Sequence, residues 1–327
     1  IFPARTEART LRVARSVGKV CDEATRNLDL DVIFGCIASW PLYGCRPDLP
    51  AVFYTDATTT MVNATYPRFQ DRPEGFKEAC REIENSVYDR CHAVAVPAPQ
   101  VLESAITDHD LSPGKGHVIP MGANIVPETP LNSVDDLSVP DRENLQLAII
   151  ASDPIRKRLN FAVEVAEYLN AEGWSCRLTA IGPPTERARR SQLVDCLGPL
   201  QWSQPDDRRR IRDTLSAAHF FLLPSTAEGA AIAPAEAAHF GRPAIVSDVA
   251  GLPSVVLDGE TGRVLPIDRA TVEDYARAIA TMATDPPRYR RISEAALHRA
   301  QTHFTWDAWG DRITELLFDA AGPNPHD

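Results

Sequence analysis

The two residues with the clearest chemical capacity are Glu228 and Glu236, eight positions apart in the run LLPSTAEGAAIAPAEAAHFGRPAIVSD. The run begins as an apolar strand. Pro234 predicts the start of a helix, since proline suits the first helical position. The Gly- and Ala-rich loop and the helix start can direct backbone N–H groups at a phosphate. Carboxylates beside them can accept hydrogen bonds from vicinal hydroxyls, as a ribose offers. The spacing therefore indicates a nucleotide-sugar site, with Glu236 in the first helical turn.

A second interpretation of the two glutamates needs no ligand. Glu228 is then a solvated loop residue, and Glu236 is an acidic residue that the helix dipole stabilises near the helix start. The spacing alone leaves both interpretations open.

A basic cluster, SDPIRKRLN, occupies residues 152–160 at another strand-to-helix junction. Its charged groups belong to Arg156, Lys157 and Arg158. Clustered guanidinium and ammonium groups at a helix start can neutralise a diphosphate. The alternative is a helix start whose basic groups are simply solvated.

Composition and charge argue against several classes of protein. The 327 residues are enough for two domains with separate cores, and the net charge of −11 argues against a general nucleic-acid binder. No apolar run approaches the roughly 18 residues of a membrane helix, and no apolar signal core is present at the start. The seven cysteines lack metal-ligand spacing, as expected for reduced thiols. We therefore expect a cytoplasmic protein without a metal site or an integral membrane segment.

Predicted strands and helices alternate in both halves of the chain. After an Arg-rich helix over 1–29, the first half has predicted strands at 28–36, 50–57, 92–98 and 117–124. The second half has predicted strands at 145–152, 175–182, 219–225 and 243–248, and a helix is expected to run through TERARRSQLVDC. Alternation of this kind predicts parallel sheets, and so an α/β, doubly wound architecture. A proline-containing segment over 125–145 is the predicted linker.

Two further motifs follow the glutamate pair in register. They are G-R-P-A-I-V-S-D-x-x-G-L-P and D-G-x-T-G-R-V-L-P. Together with S-x-x-E-G-x(6)-E, they resemble the retaining GT-B glycosyltransferases known as family 4. The resemblance covers residues 90–321 well and 28–90 more loosely. It implies two Rossmann-like domains facing a cleft, and sugar transfer from a nucleotide-diphospho-sugar to an acceptor hydroxyl, with retention and without a metal.

The resemblance also implies a domain division. Residues 1–127 are expected to form the acceptor-side domain, which lacks the family's first strand and Gly-rich loop. Residues 128–304 are expected to bind the nucleotide sugar, and residues 305–327 to form a helix that returns to the first domain.

Roles near the glutamate pair follow from the same resemblance. Glu236 corresponds to the residue that holds the ribose, and Glu228 to one near the donor sugar. The loop that lines the sugar and diphosphate comprises Gly229, Ala230, Ala231 and Ile232. The family usually has an aromatic residue and a second glycine at the two alanine positions. Because a methyl group restricts φ, we expect the loop to close differently here.

In the basic cluster, Lys157 matches the family lysine that contacts the diphosphate. The family's arginine often follows a glycine where this chain has Ser152, so Arg156 is expected to replace it. Arg158 stands where the family commonly has glycine.

Three further positions are candidates for the site. Asp56, after the strand at 50–57, could accept a hydrogen bond from a sugar or acceptor hydroxyl, or it could cap a short helix. Gly122 corresponds to a turn that brings backbone near the sugar, or it is a simple turn glycine. Leu200 lies in LGPLQW, where the family reads the nucleobase through backbone groups.

Other functions remain compatible with this sequence. A pseudo-glycosyltransferase would couple a nucleotide-cyclitol instead of a sugar. A phosphorylase would need a site for phosphate or pyridoxal phosphate that no motif supplies. A non-catalytic GT-B partner subunit would bind without turnover.

Overall fold

The structure is a computed structural model that describes residues 3–135 and 137–322. The chain divides into two compact units, Ile1–Pro120 with Asp307–Asp327, and Met121–Trp306. The predicted boundaries fall instead at 127/128 and 304/305. Both units contain a parallel sheet with helices, which confirms the predicted α/β class.

The first unit is built on a parallel sheet whose described strands follow chain order. These strands are β1 (Ile33–Cys36), β2 (Ala51–Tyr54), β3 (Ala93–Val96) and β4 (Gly116–Val118). Strands β2 and β3 read AVFY and AVAV and are buried throughout. Continuous apolar runs of this kind are typical of parallel strands covered on both faces.

Helices surround this sheet. They are α1 (Pro3–Thr25), α2 (Ser39–Leu42), α3 (Thr59–Thr65), α4 (Pro67–Gln70), α5 (Glu74–Arg90), α6 (Pro99–His109) and the last helix, α14 (Trp306–Ala321). Trp309 of α14 packs edge-on against Tyr54, with ring centroids 5.4 Å apart. Another contact of α14 joins Asp319 to His92, at 2.8 Å. The last helix therefore packs on the sheet of this unit.

The second unit contains a six-stranded parallel sheet within its described residues. Its strands are β5 (Leu145–Ile150), β6 (Cys176–Ile181), β7 (Val194–Gly198), β8 (Phe220–Leu223), β9 (Ala244–Asp248) and β10 (Gly262–Pro266). The spatial order is β10-β9-β8-β5-β6-β7. Strand β5 is central, and the order reverses between β5 and β8, as in the Rossmann architecture.

Both faces of this sheet are buried by helices. The helices are α7 (Leu159–Ala171), α8 (Glu186–Arg190), α9 (Pro205–Ala217), α10 (Ile232–His239), α11 (Leu252–Val255), α12 (Val272–Ala283) and α13 (Pro286–His303). Alternate residues of β8 feed two separate cores, with Phe220 and Leu222 in one and Phe221 and Leu223 in the other. That alternation is the period of two that a strand imposes.

The helix expected through TERARRSQLVDC is wrong beyond Arg190. Thr185 caps α8, its hydroxyl oxygen accepting from Ala188 N at 3.2 Å, and the helix ends before Ser191. The chain then enters β7, which pairs with β6. Pairing with the preceding strand decides the conformation here, and local helix propensity does not.

A membrane-spanning helix is not found in residues 3–135 and 137–322. None of the helices there combines the necessary length and apolar character.

Gly182, directly after β6, provides a test of this fold. Its φ is 131°, and a Cβ there would lie 2.1 Å from the carbonyl oxygen of Ala151. Gly182→Ala should therefore lower the free energy of unfolding by about 2–4 kcal/mol through strain and overpacking. Gly198→Ala is the matched control, since φ is 75° but nothing lies within 4 Å of its Cβ. The control should lose only about 1–2 kcal/mol. Equal losses of stability in urea denaturation would contradict the close approach of Gly182 to Ala151.

Candidate functional site

The site lies where the loops after β5 and β8 meet. These two strands pair directly, as in the register Leu147↔Phe220. In open parallel sheets, ligands bind beyond the carboxyl ends of the strands, at the point where the strand order reverses. The loop after β5 carries the basic cluster, and the loop after β8 carries Glu228.

Glu228 is held in a fixed position. Its side chain is only 8% exposed, and the Ser225 hydroxyl donates to its Oε1 at 2.7 Å. Ser225 is itself fully buried, and its carbonyl accepts from the hydroxyl of Ser247. The interpretation of Glu228 as a solvated loop residue is therefore wrong.

Two basic side chains converge on the same carboxylate oxygen. Arg156 Nη1 lies 2.9 Å from Glu228 Oε1, and Lys157 Nζ lies 3.9 Å from it. Arg156 also donates to the carbonyl of Ala227 at 2.5 Å, and its own carbonyl accepts from Thr226 N at 2.8 Å. The two loops are thus joined by both side-chain and backbone contacts.

Lys157 is buried, and this burial lowers its pKa from the usual value. The charge of Glu228 opposes that shift, because a neighbouring anion favours the protonated amine. The cluster therefore combines one carboxylate with two cationic side chains in a partly desolvated environment. Such an arrangement can attract and neutralise a bound anion.

A tight turn gives the basic cluster its shape. Asp153 Oδ1 accepts from the backbone N–H groups of Ile155 (3.2 Å) and Arg156 (3.1 Å). Arg158 then adopts φ 51°, the left-handed region that favours glycine. Its guanidinium lies 3.9 Å from the ring centroid of Phe161, a cation–π contact on α7. Arg158 is therefore engaged differently from Arg156 and Lys157.

The helix that carries Glu236 begins earlier than predicted. Helix α10 starts at Ile232, so Pro234 is its third residue and Glu236 lies in the second turn. The prediction that Pro234 opens the helix is wrong, because the backbone N–H groups of the whole first turn lack helical partners and proline is tolerated throughout it. Ala231 precedes the helix with φ −79°. Alanine adopts that angle without strain, so its methyl group alone does not distort the loop.

Glu236 is a buried carboxylate with a long-range partner. It is 7% exposed, and its Oε1 accepts from the backbone N–H of Ile125 at 3.2 Å. Burial raises the pKa of Glu236 to about 7, against the opposing effects of the Ile125 and Asn124 N–H groups and the charge of Lys157. Its interpretation as a first-turn capping acid is wrong, since it faces a partner outside the helix.

The rest of the predicted loop lines the start of α10. Gly229 and Ala231 are buried, while Ala230 and Ile232 are partly exposed. Ala231 belongs to the core that also contains Ile125.

Asp56 follows β2 in the other unit. Its side chain is half-buried, and burial raises its pKa. Thr58, not Asp56, caps the following helix α3, with its hydroxyl oxygen accepting from Met61 N at 3.2 Å. The capping interpretation of Asp56 is therefore wrong, and its place among substrate-binding residues stays a prediction.

Gly122 and Leu200 have defined surroundings in the second unit. A Cβ at Gly122 would lie 2.4 Å from the backbone N of Trp306, so glycine permits a close approach of two chain segments. Leu200 follows β7 and packs, partly buried, against the core that contains Ile125 and Leu252. Neither contact tests the predicted roles toward sugar or base.

Sequence reasoning missed three groups of this site. Ser225 precedes Glu228 by three residues, and Asp153 belongs to an Asp-Pro turn, so a local signal existed for both. The backbone N–H of Ile125 is 111 residues from Glu236, and no local pattern could have predicted that contact.

Residues 138–299 match the family described as Glycosyl transferases group 1, and this segment contains both loops of the site. This segment of the chain belongs to the family. The match confirms the predicted family and the class of enzyme, a glycosyltransferase.

Individual relatives agree with that assignment. The chain is 26% identical to D-inositol 3-phosphate glycosyltransferase of Corynebacterium aurimucosum, over 84% of this chain and 67% of the relative. It is 34% identical to alpha-maltose-1-phosphate synthase of Mycolicibacterium smegmatis, over 33% of this chain and 29% of the relative. The chain spans about two thirds of the length of the first curated relatives it matches (67%, 65% and 66%).

The fold is shared with solved glycosyltransferases. Sucrose-phosphate synthase from Thermosynechococcus elongatus superimposes with a TM-score of 0.69 over 91% of this chain and 76% of that chain. The sequence identity is 19%, so the likeness concerns the fold, and it confirms the GT-B class.

The raised pKa of Glu236 predicts a pH-dependent contribution to stability. The folded-state pKa of about 7 exceeds the usual 4.5, so the folded chain binds more protons between these values. The contribution is therefore complete below pH 4.5 and is lost as pH rises through 7, by about 3 kcal/mol. Glu236→Gln cannot titrate, so the wild type should lose stability relative to this variant over that range.

Urea denaturation at intervals between pH 5 and 8 measures this difference. Glu294→Gln, at an exposed position of α13, controls for the substitution itself. Parallel pH profiles for the wild type and Glu236→Gln would show that the Glu236 carboxyl is not perturbed.

Proposed function

We propose that the chain transfers a sugar from a nucleotide-diphospho-sugar to an acceptor hydroxyl, with retention of anomeric configuration. The observation that carries this proposal is the convergence of Glu228, Arg156 and Lys157 on one another where the strand order reverses. Glu236 is on the helix that follows the same loop. Membership of the glycosyl transferases group 1 family supports the reaction class.

Glu236 is proposed to bind the ribose. A carboxylate can accept about four hydrogen bonds, so its bond to Ile125 leaves capacity for a vicinal diol. Ribose hydroxyls that donate to Glu236 would favour its ionised form. Binding would then replace part of the hydration that burial has removed from this carboxylate.

The leaving diphosphate is proposed to meet Lys157, Arg156 and the backbone N–H groups of Gly229, Ala230, Ala231 and Ile232. Positive groups fixed before the reaction stabilise charge that develops as the glycosidic bond breaks. Glu228 balances the charge of the two cations. Glu228 is proposed to lie near the donor sugar, where a carboxylate favours an oxocarbenium-like transition state.

The chemical step needs no covalent intermediate in this proposal. The bond between the anomeric carbon and the diphosphate oxygen breaks, and the acceptor oxygen bonds to the same carbon on the same face. The acceptor proton passes to an oxygen of the departing diphosphate. Cationic side chains supply the charge stabilisation, so the proposal is metal-independent.

The remaining candidates keep their predicted roles as proposals. Asp56 would accept a hydrogen bond from a substrate hydroxyl, Gly122 would present backbone to the sugar, and Leu200 would mark the backbone that reads the base. The division into acceptor-side and donor-side domains is also proposed. A cytoplasmic location is also proposed, because the spacing of the seven cysteines favours reduced thiols.

Thermal shift measurements with UDP-, GDP-, ADP- and dTDP-sugars test the function. Ligand at 100 times its Kd stabilises the folded chain by about 2.7 kcal/mol, so one donor class should raise Tm clearly. That donor is then assayed for transfer to polyol acceptors. A panel in which none of the four classes raises Tm would overturn the proposal.

Glu236→Ala should weaken donor affinity by about 10- to 100-fold, because hydrogen bonds to a charged group contribute about 1.5–3 kcal/mol. The donor Kd and KM measure this loss, with Glu294→Ala as an exposed control on α13. Wild-type donor affinity in Glu236→Ala would exclude the ribose role.

Lys157→Ala should lower kcat by about 100- to 1,000-fold, since it removes a positive group aimed at developing charge. Donor KM should change much less. Lys19→Ala on α1 is the matched control, as Lys19 is exposed. An unchanged kcat in Lys157→Ala would show that Lys157 does not neutralise the charge of the leaving diphosphate.

A further inference from the structure

His239 is a second buried polar side chain of α10. It is 7% exposed, and its Nε2 lies 3.1 Å from the carbonyl oxygen of Phe304. A carbonyl oxygen can only accept, so Nε2 carries the hydrogen and donates it. His239 follows Glu236 by three residues, a spacing that places two side chains on neighbouring positions of one helix face.

The carbonyl of Phe304 has a second donor. The backbone N–H of Ala123 donates to it at 2.9 Å. Ala123 precedes Ile125 by two residues, and Ile125 donates its N–H to Glu236. The contacts therefore form a closed ring that leaves α10 at Glu236, passes through residues 123–125 and Phe304, and returns to α10 at His239.

Residues 122–125 also contact Trp306, which follows Phe304 by two residues. The indole N–H of Trp306 donates to Asn124 Oδ1 at 3.3 Å, and the backbone of Trp306 lies against Gly122. The N–H of Asn124 is a further hydrogen-bond donor that lowers the pKa of Glu236. The segment that orients the Glu236 carboxylate is thus itself fixed by residues 304–306.

We propose that His239 is a positioning residue for donor binding, acting through Phe304 and residues 123–125 to set the orientation of the Glu236 carboxylate. The inference rests on the proposed ribose role of Glu236. Hydrogen bonds in a buried network stabilise one another, so loss of one member loosens the others. Without the imidazole, the Phe304 carbonyl keeps the Ala123 bond but loses its tie to α10.

The sequence alone does not single out His239. Its position in AAHFGRP gives no indication of a partner 65 residues away along the chain. The ring becomes visible only when β8, α10 and the segments at 123–125 and 304–306 are brought together.

Isothermal titration with UDP, GDP, ADP and inorganic pyrophosphate tests the inference, with His239→Leu and His239→Gln compared to the wild type. Pyrophosphate offers the anionic group without a ribose. His239→Leu should weaken the best nucleoside diphosphate by about 5- to 10-fold, as expected for one hydrogen bond. It should leave pyrophosphate affinity within about twofold. His239→Gln, whose amide N–H can reach the carbonyl, should restore most of the loss.

In transfer assays, His239→Leu should raise donor KM and leave kcat within about twofold. His298→Leu, at an exposed position of α13, is the control, and melting curves confirm that each variant folds. Equal weakening of pyrophosphate and nucleoside diphosphate would overturn the inference, as would unchanged affinity for both. If none of the nucleoside diphosphates binds the wild type better than pyrophosphate, the proposed ribose site itself fails, and the inference with it.

Discussion

The contact on which the site depends is the ion pair between Arg156 and Glu228. A buried charge is costly unless a partner compensates it, and removal of either partner would leave the other uncompensated. The pair joins the loop after β5 to the loop after β8, at the point where a crevice must open. The Ser225 hydroxyl donates a hydrogen bond to the Glu228 carboxylate and fixes its position. The Asp153 carboxylate accepts from the backbone N–H of Arg156 and fixes the turn that carries the Arg156 guanidinium. These contacts hold the charged groups of the site in place, which reduces the ordering that binding requires.

Sheet topology explains why these two loops meet. Strands β5 and β8 are adjacent in space although 69 residues separate the end of one from the start of the other. The carboxyl ends of parallel strands lie at one edge of a sheet, and ligands of open α/β sheets bind there where the strand order reverses, as it does between β5 and β8. Apolar residues of both strands supply the two cores beneath it. Sheet topology and core packing thus bring the two loops together. Only a few residues in each loop set the local turns that carry the charged side chains.

Much of the fold and part of the site could be predicted from sequence, because their signals are local. Apolar runs predicted β5, β6, β8 and β9, and the Gly- and Ala-rich loop predicted the approach to α10. Strand β7 was missed because its pairing with β6 overrides the helical pattern of the preceding residues. The start of α10 was misplaced because proline is compatible with several positions of a first turn. The ion pair of Glu228 and the bond from Ile125 to Glu236 depend on distant segments, so sequence spacing could not predict them.

Glu236 combines a structural contact with the ribose role proposed for it. Burial raises its pKa to about 7, so near neutral pH its charge responds to small changes nearby. A bound donor would shift the pKa of Glu236 in two opposite directions. Hydroxyl groups that donate to the carboxylate lower its pKa, whereas the negative diphosphate raises it. Lys157 would also contribute, because a diphosphate that engages its ammonium weakens the attraction that Lys157 exerts on Glu236. Protonation of Glu236, the charge state of Lys157 and occupation of the crevice therefore form one coupled equilibrium, and the proton released or taken up on binding measures which contribution is larger.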